Sequence, residues 1–153
     1  MQGTTGESRI HRRLVDQLYL EAMVLADEAR TYFDEEGRAE REVLSPLERV
    51  GFSCESLKVT TRLMHVIAWL LTQRAVAAGE LRPLDALDPS RRLGEAPHTD
   101  ERAAAGLPLR ARLLIVASSD LHRRIARLDA SPRADAVVSS PARAMQQRLA
   151  LAF

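Results

Sequence analysis

A long helix between Ser45 and Gly79 is the feature that most constrains the fold of this 153-residue chain. Ser45, Pro46 and Glu48 form a capping box with proline at the first helical position. Gly79 ends the helix, and Pro83 prevents an immediate restart. At a rise of 1.5 Å per residue such a helix is about 50 Å long, so the rest of the chain has to pack around it.

Two apolar stripes follow this helix. The first alternates steps of three and four residues, which is typical of a packing seam, and we predict that it lies in the core. This heptad seam comprises Leu47, Val50, Cys54, Leu57, Thr61, Met64, Ala68, Leu71, Ala75 and Ala78. The second stripe comprises Phe52, Val59, Leu63, Val66, Ile67 and Leu70. A helix that is apolar on two faces has neighbours on two sides, and exposed apolar surface on it suits a homodimer.

Two more helices and three irregular segments complete the predicted fold. The first helix runs from about Ser8 to Glu35, and the third from about Pro108 to Ala130. Aromatic residues make up only 4% of the chain, and its abundant Ala and Leu favour helix over strand. We therefore predict an all-α, up-and-down three-helix bundle over residues 9–130. The other predicted parts are a disordered N-terminus (1–8), a long linker between the second and third helices (80–106) and a flexible tail (131–153).

The tail contains one further helix signal. Ser140 and Pro141 could begin a short amphipathic helix with Met145, Leu149 and Phe153 on its apolar face. A helix this short is marginal unless it docks.

Composition excludes several classes of protein. A net charge of +1 gives no electrostatic basis for binding nucleic acid or a membrane surface. The chain has no apolar run long enough to span a bilayer and no signal peptide, which indicates a cytoplasmic location. It also lacks a glycine-rich phosphate loop, a G-x-S-x-G elbow and an H-E-x-x-H pair. We therefore predict no catalytic residues, no cofactor and no metal.

Three single residues have competing interpretations. Cys54 lies on the heptad seam and is predicted to be an inert core thiol, because a reactive thiol needs an exposed, electropositive setting. His65 is predicted to lie at the helix surface or boundary, with a catalytic or metal role as the alternative. Trp69, the single tryptophan, is predicted to pack in the bundle or to contact a partner, since tryptophan is enriched at binding hot spots.

A polar constellation on the long helix is the strongest candidate site. Five of its residues carry a charge or an amide group, and Ser56, Thr60 and Thr72 lie between them. The predicted partner-binding set is Glu55, Lys58, Arg62, Trp69, Gln73 and Arg74. These residues either line a solvated outer face or form a recognition strip for another protein. An anion site of an all-α enzyme is the weaker alternative, because nothing positions a nucleophile or an acid–base pair.

The central helix resembles the signature helix of the RcdA family, the alphaproteobacterial regulators of CtrA degradation. The resemblance lies in residues Glu55–Met64, Ala68–Leu71, Gln73–Val76 and Gly79–Glu80. Looser similarity is present around Met23–Gly37 and Leu107–Leu128, so that most of residues 15–130 is covered. In the linker and in the tail after Pro132 we identify no resemblance to the family.

The resemblance implies a non-catalytic adaptor. Family members are dimerising three-helix bundles that help bring selected substrates, including a cell-cycle transcription regulator, to the ClpXP protease. They act with a priming adaptor that resembles a response regulator and, for some cargo, with a cyclic-di-GMP effector protein. The implied location is the cytoplasm, with a cell pole as one candidate. Linked weak contacts of this kind can gain roughly 10²–10⁴ in avidity.

Three functions follow from these observations. The protease adaptor is the leading interpretation. The second is a different helical regulator of protein–protein interaction on the same scaffold. The third, an all-α enzyme, predicts a concave pocket on which Arg and Glu side chains converge.

Overall fold

The computed structural model describes residues 3–131 and residue 149, and these residues form helices and turns without a strand. The helices are α1 (Gly3–Thr31), α2 (Arg38–Glu42), α3 (Pro46–Ala77), α4 (Glu101–Ala104) and α5 (Leu109–Asp129). A π-helical turn (Tyr32–Glu36) continues α1, and two 3-10 turns (Asp85–Leu87 and Pro89–Arg91) lie in the linker. Helices α1, α3 and α5 form one bundle, which confirms the predicted all-α fold.

The start and end of α3 are fixed by the residues that the sequence indicated. The Ser45 hydroxyl accepts the Glu48 backbone N–H at 3.2 Å and donates to the Glu48 carboxylate at 2.7 Å. Gly79 has a φ of 75°, a left-handed conformation that glycine adopts without the steric cost a side chain brings. The predicted capping box and stop are therefore confirmed.

Replacing Ser45 with alanine removes both hydrogen bonds of the cap. We expect the free energy of unfolding to fall by about 1 kcal/mol, the usual cost of losing an N-cap side chain. Urea unfolding followed by circular dichroism measures it. Replacing the exposed Ser53 with alanine provides the control, and an equal loss in both variants would contradict the cap assignment.

The direction of the helices explains the length of the linker. Arg12 of α1 donates to the Ala77 carbonyl at the end of α3, so α1 and α3 are antiparallel. On α5, in contrast, Ser118 faces Arg62 and Asp129 faces Trp69, so α5 runs parallel to α3. The predicted up-and-down order thus holds for α1 and α3 only. Returning along a helix of about 48 Å takes at least roughly 14 extended residues, and the linker supplies this connection.

The core of α3 is its second apolar stripe. Phe52, Val59, Leu63, Val66 and Leu70 are buried against α1 and α5. The heptad seam faces the opposite way, and its larger apolar side chains are exposed, with Leu57 at 69% and Met64 at 63%. Cys54 is exposed as well. The predictions that the seam and Cys54 lie in the core are therefore wrong.

The two chain ends differ in how far the structure describes them. Helix α1 begins at Gly3, ahead of the predicted start near Ser8; Gly6 lies within it and does not interrupt it. The predicted tail helix lies outside the described residues, except for Leu149, which is helical and exposed.

Candidate functional site

The linker lies along the junction of α3 and α5 and contacts both helices in sequence order. Halfway along the linker, the Arg92 side chain and the Leu93 N–H donate to Asp129 at the end of α5. Further along, residues 94–99 contact side chains progressively nearer the start of α3. The polar residues of α3 on this side therefore hold a segment of their own chain.

Arg62 is the centre of these contacts. Its side chain is only 1% exposed. The guanidinium donates to the Pro97 carbonyl at 2.9 Å, to the Thr99 hydroxyl at 2.5 Å and to the Ser118 hydroxyl at 3.4 Å. One side chain of α3 thus joins the linker to α5.

Glu55 provides the balancing negative charge two helical turns away. Its carboxylate accepts the Thr99 hydroxyl at 2.6 Å and the Lys58 ammonium at 3.1 Å. Burial lowers the pKa of Arg62, and the negative charge of Glu55 opposes that shift. An arginine side chain remains protonated in proteins, so Arg62 stays charged, and the Thr99 hydroxyl links it to Glu55.

Two histidines hold the middle of the linker. His65 Nδ1 lies 3.0 Å from the Glu95 carbonyl oxygen, and His122 Nε2 lies 2.8 Å from that of Gly94. An acceptor oxygen requires each of these ring nitrogens to carry a proton. His65 is half-buried, which confirms its predicted position at the helix boundary.

Replacing Gly94 with alanine is expected to displace this part of the linker. The added Cβ would lie 2.6 Å from His65 Nδ1, well inside the contact distance. We expect faster amide hydrogen exchange in residues 93–99, while the core of α3 keeps its protection. Replacing Gly51 with alanine is the control, since a Cβ there meets nothing within 4 Å. Unchanged exchange in the Gly94 variant would show that the His65 contact does not hold the linker.

Trp69, Gln73 and Arg74 are separated from this cluster. Trp69 is 4% exposed, and its ring N–H donates to Asp129 at 2.9 Å, which confirms packing in the bundle. Gln73 lines a cavity of about 380 Å³ beside Trp69. Arg74 is exposed, 4.4 Å from the centre of the Tyr19 ring. The predicted set is therefore not one exposed strip, because Glu55, Arg62 and Trp69 face the protein interior.

Three residues of the site carry no distinguishing signal in the sequence. Thr99, Ser118 and Asp129 are single polar residues, and their importance follows only from the helix and linker that they meet in the fold. Sequence reasoning therefore missed them.

The heptad seam of α3 is the second candidate site. Leu47, Val50, Leu57, Met64 and Leu71 are all exposed on one face, where a strict three-four spacing matches the contact line between two helices. Contiguous exposed apolar surface on a soluble protein is typical of an interaction site. Within the described residues no partner element covers this face.

The part of the chain that the structure describes offers no metal site, since no three His, Cys, Asp or Glu side chains come together in it. None of its helices is long and apolar enough to cross a membrane.

The fold and the sequence define a class of small helical bundle proteins. The family described as a protein of unknown function, DUF1465, matches residues 6–153. The crystal structure of RcdA from Caulobacter crescentus CB15 is 38% identical in sequence, covers 84% of this chain and 95% of that chain, and superposes with a TM-score of 0.63. The chain belongs to the RcdA family. No curated protein matches it.

Proposed function

We propose that this protein is a non-catalytic adaptor that helps deliver protein substrates, such as a cell-cycle transcription regulator, to the ClpXP protease in the cytoplasm. Its family membership carries the proposal, because RcdA is similar over nearly its whole length. The exposed seam of α3 supports it, since an adaptor acts through surfaces that bind other proteins. The proposed partners are ClpXP with its priming adaptor, the protein cargo and, for some cargo, a cyclic-di-GMP effector protein.

We also propose that the heptad seam is the homodimer contact. Two copies of α3 packed along this face would cover its exposed apolar side chains, from Leu47 near one end to Leu71 near the other. A seam of that length is enough for several heptads of knobs-into-holes packing. The seam lies opposite the buried stripe of α3 and includes none of the residues that hold the linker, so Arg62 would not be part of the dimer contact.

Reconstituted proteolysis tests the adaptor role. Cargo is incubated with ClpXP and the priming adaptor, with and without this protein, at cargo concentrations below saturation. We expect faster initial degradation when the protein is present, because linked contacts raise the local concentration of cargo at the protease. An unchanged rate, together with no association with the unfoldase in any nucleotide state, would contradict the proposal.

The two other interpretations stand as alternatives with distinct outcomes. A different helical regulator would bind cargo or other proteins without changing the rate of proteolysis. The enzyme interpretation predicted a pocket with converging Arg and Glu side chains. In the structure, the hydrogen-bonding groups of Arg62 and Glu55 contact Thr99, Pro97 and Lys58, which favours a structural role for both residues.

A further inference from the structure

A groove between α5 and the linker is the strongest unassigned feature of the molecule. It has a volume of about 640 Å³, within the range of ligand-binding clefts. Its wall on α5 is formed by Arg112, Val116, Ser119 and Arg123, and residues 96–105 form the other wall. None of the heptad seam residues lines it, so it is a surface separate from the proposed dimer contact.

Two exposed arginines, Arg112 and Arg123, line this groove on α5. The other ionised residues of the lining are Glu101, which is exposed, and Arg62, whose buried guanidinium already donates to the linker and to α5. Arg112 donates to the Leu107 carbonyl, a neutral acceptor. Arg123 forms an exposed ion pair with Asp120, and such pairs contribute little to the stability of the fold.

The apolar part of the groove continues onto the surface of α5. Leu109, Leu113 and Val116 are separated by four and three residues, which places them on one helix face, and all three are more than half exposed. Arg112 stands beside this stripe, and Arg123 lies two turns beyond Val116. The surface therefore offers apolar contacts flanked by cations within one or two helical turns.

We propose that this groove binds a peptide segment of another protein in which acidic residues alternate with or flank aliphatic ones. The carboxylates would pair with Arg112 and Arg123, and the aliphatic side chains would cover Val116 and Leu113. Charge-assisted hydrogen bonds from arginine to carboxylate are strong and directional, and electrostatic complementarity selects against basic segments. The binding is measurable without a protease and goes beyond the adaptor role.

Two other occupants fit the groove less well. The chain's own residues 132–153 contain Arg133, Arg143 and Arg148 against the single acid Asp135, so their charge repels the groove. Single-stranded nucleic acid is bound chiefly by large aromatic side chains that stack with bases, and the groove lining has no Phe, Tyr or Trp.

Selection from a random-peptide phage library on the full-length protein tests the proposal. We expect enriched peptides to combine Asp or Glu with Leu, Ile or Val. Synthetic versions should bind the Arg112→Ala, Arg123→Ala double variant about tenfold or more weakly, a change of at least about 1.4 kcal/mol. Amide resonances of residues 96–105 and 112–123 should shift on binding, and affinity should fall with added NaCl.

The matched control is Arg127→Ala, which removes an exposed arginine of α5 outside the groove and should bind the same peptides with unchanged affinity. Circular dichroism verifies that all variants are folded. No enrichment, enrichment without acidic residues, or equal binding by the double variant would overturn the proposal. Displacement of the peptides by an oligothymidylate that binds more tightly would also overturn it, and would assign the groove to nucleic acid.

Discussion

Replacing Arg62 with alanine is expected to lower the free energy of unfolding by about 3 kcal/mol. The substitution removes three hydrogen bonds that join α3 to the linker and to α5. It also leaves the carboxylate of Glu55, 5% exposed, with less positive charge nearby. Loss of one partner from a buried polar network costs roughly 1–3 kcal/mol for unsatisfied hydrogen bonds and up to about 5 kcal/mol where a charge is left uncompensated.

Urea unfolding of the variant measures this loss, and two comparisons make it specific. Arg74→Ala removes an exposed arginine of the same helix, which lies over the Tyr19 ring and pairs with Asp16, and should lower the free energy of unfolding by no more than about 1 kcal/mol. Thr99→Val removes the hydroxyl shared by Arg62 and Glu55, so its effect should not add to that of Arg62→Ala in the double variant. A free energy of unfolding of Arg62→Ala within error of the wild type would show that the hydrogen bonds of Arg62 do not hold the linker.

The burial of Arg62 is the opposite of what its charge predicts. Charged residues are almost never fully buried unless they are paired, so the sequence favours an exposed strip for Glu55, Lys58 and Arg62. The burial of Glu55 and Arg62 depends on Thr99, which is 37 residues from Arg62 along the chain. The pattern of residues within one helix contains no information about a contact so far away along the chain. The sequence alone therefore could not predict that Arg62 is buried.

The ends of α3 could be predicted because they depend on neighbouring residues only. The cap needs Ser45 and Glu48, and the stop needs one residue that tolerates a positive φ, Gly79. The direction of α5 is different, since either orientation satisfies its apolar stripe. The length of the 80–106 linker is consistent with the parallel direction of α3 and α5, because an antiparallel neighbour needs only a short loop.

The choice between the two apolar stripes of α3 was not available from spacing. Both stripes repeat at helical intervals, so both predict a packed face. The structure assigns α1 and α5 to the side of Val59 and Val66, and leaves Leu57 and Met64 exposed. Heptad spacing indicates a contact line, and a contact with a second chain would satisfy it as well as a contact within one chain.

A pair of substitutions two residues apart on α3 separates these two faces. Val66 is fully buried, so Val66→Asp places an unpaired charge in the core and should cost about 4 kcal/mol or more, enough to unfold a protein of ordinary stability. Met64 is 63% exposed, so Met64→Asp should leave the isolated bundle folded. The aspartate would instead place like charges at the proposed dimer contact.

Sedimentation velocity and thermal unfolding over a range of protein concentrations measure both effects. We expect the wild type to be a dimer at micromolar concentration, with a melting temperature that rises with concentration because association stabilises the folded state. Met64→Asp should sediment as a folded monomer whose melting temperature is independent of concentration. Leu113→Asp, at a similarly exposed apolar side chain on α5, is the control and should still dimerise. A monomeric wild type would contradict the dimer proposal. Unfolding of Met64→Asp at every concentration would instead indicate that the seam packs within a single chain.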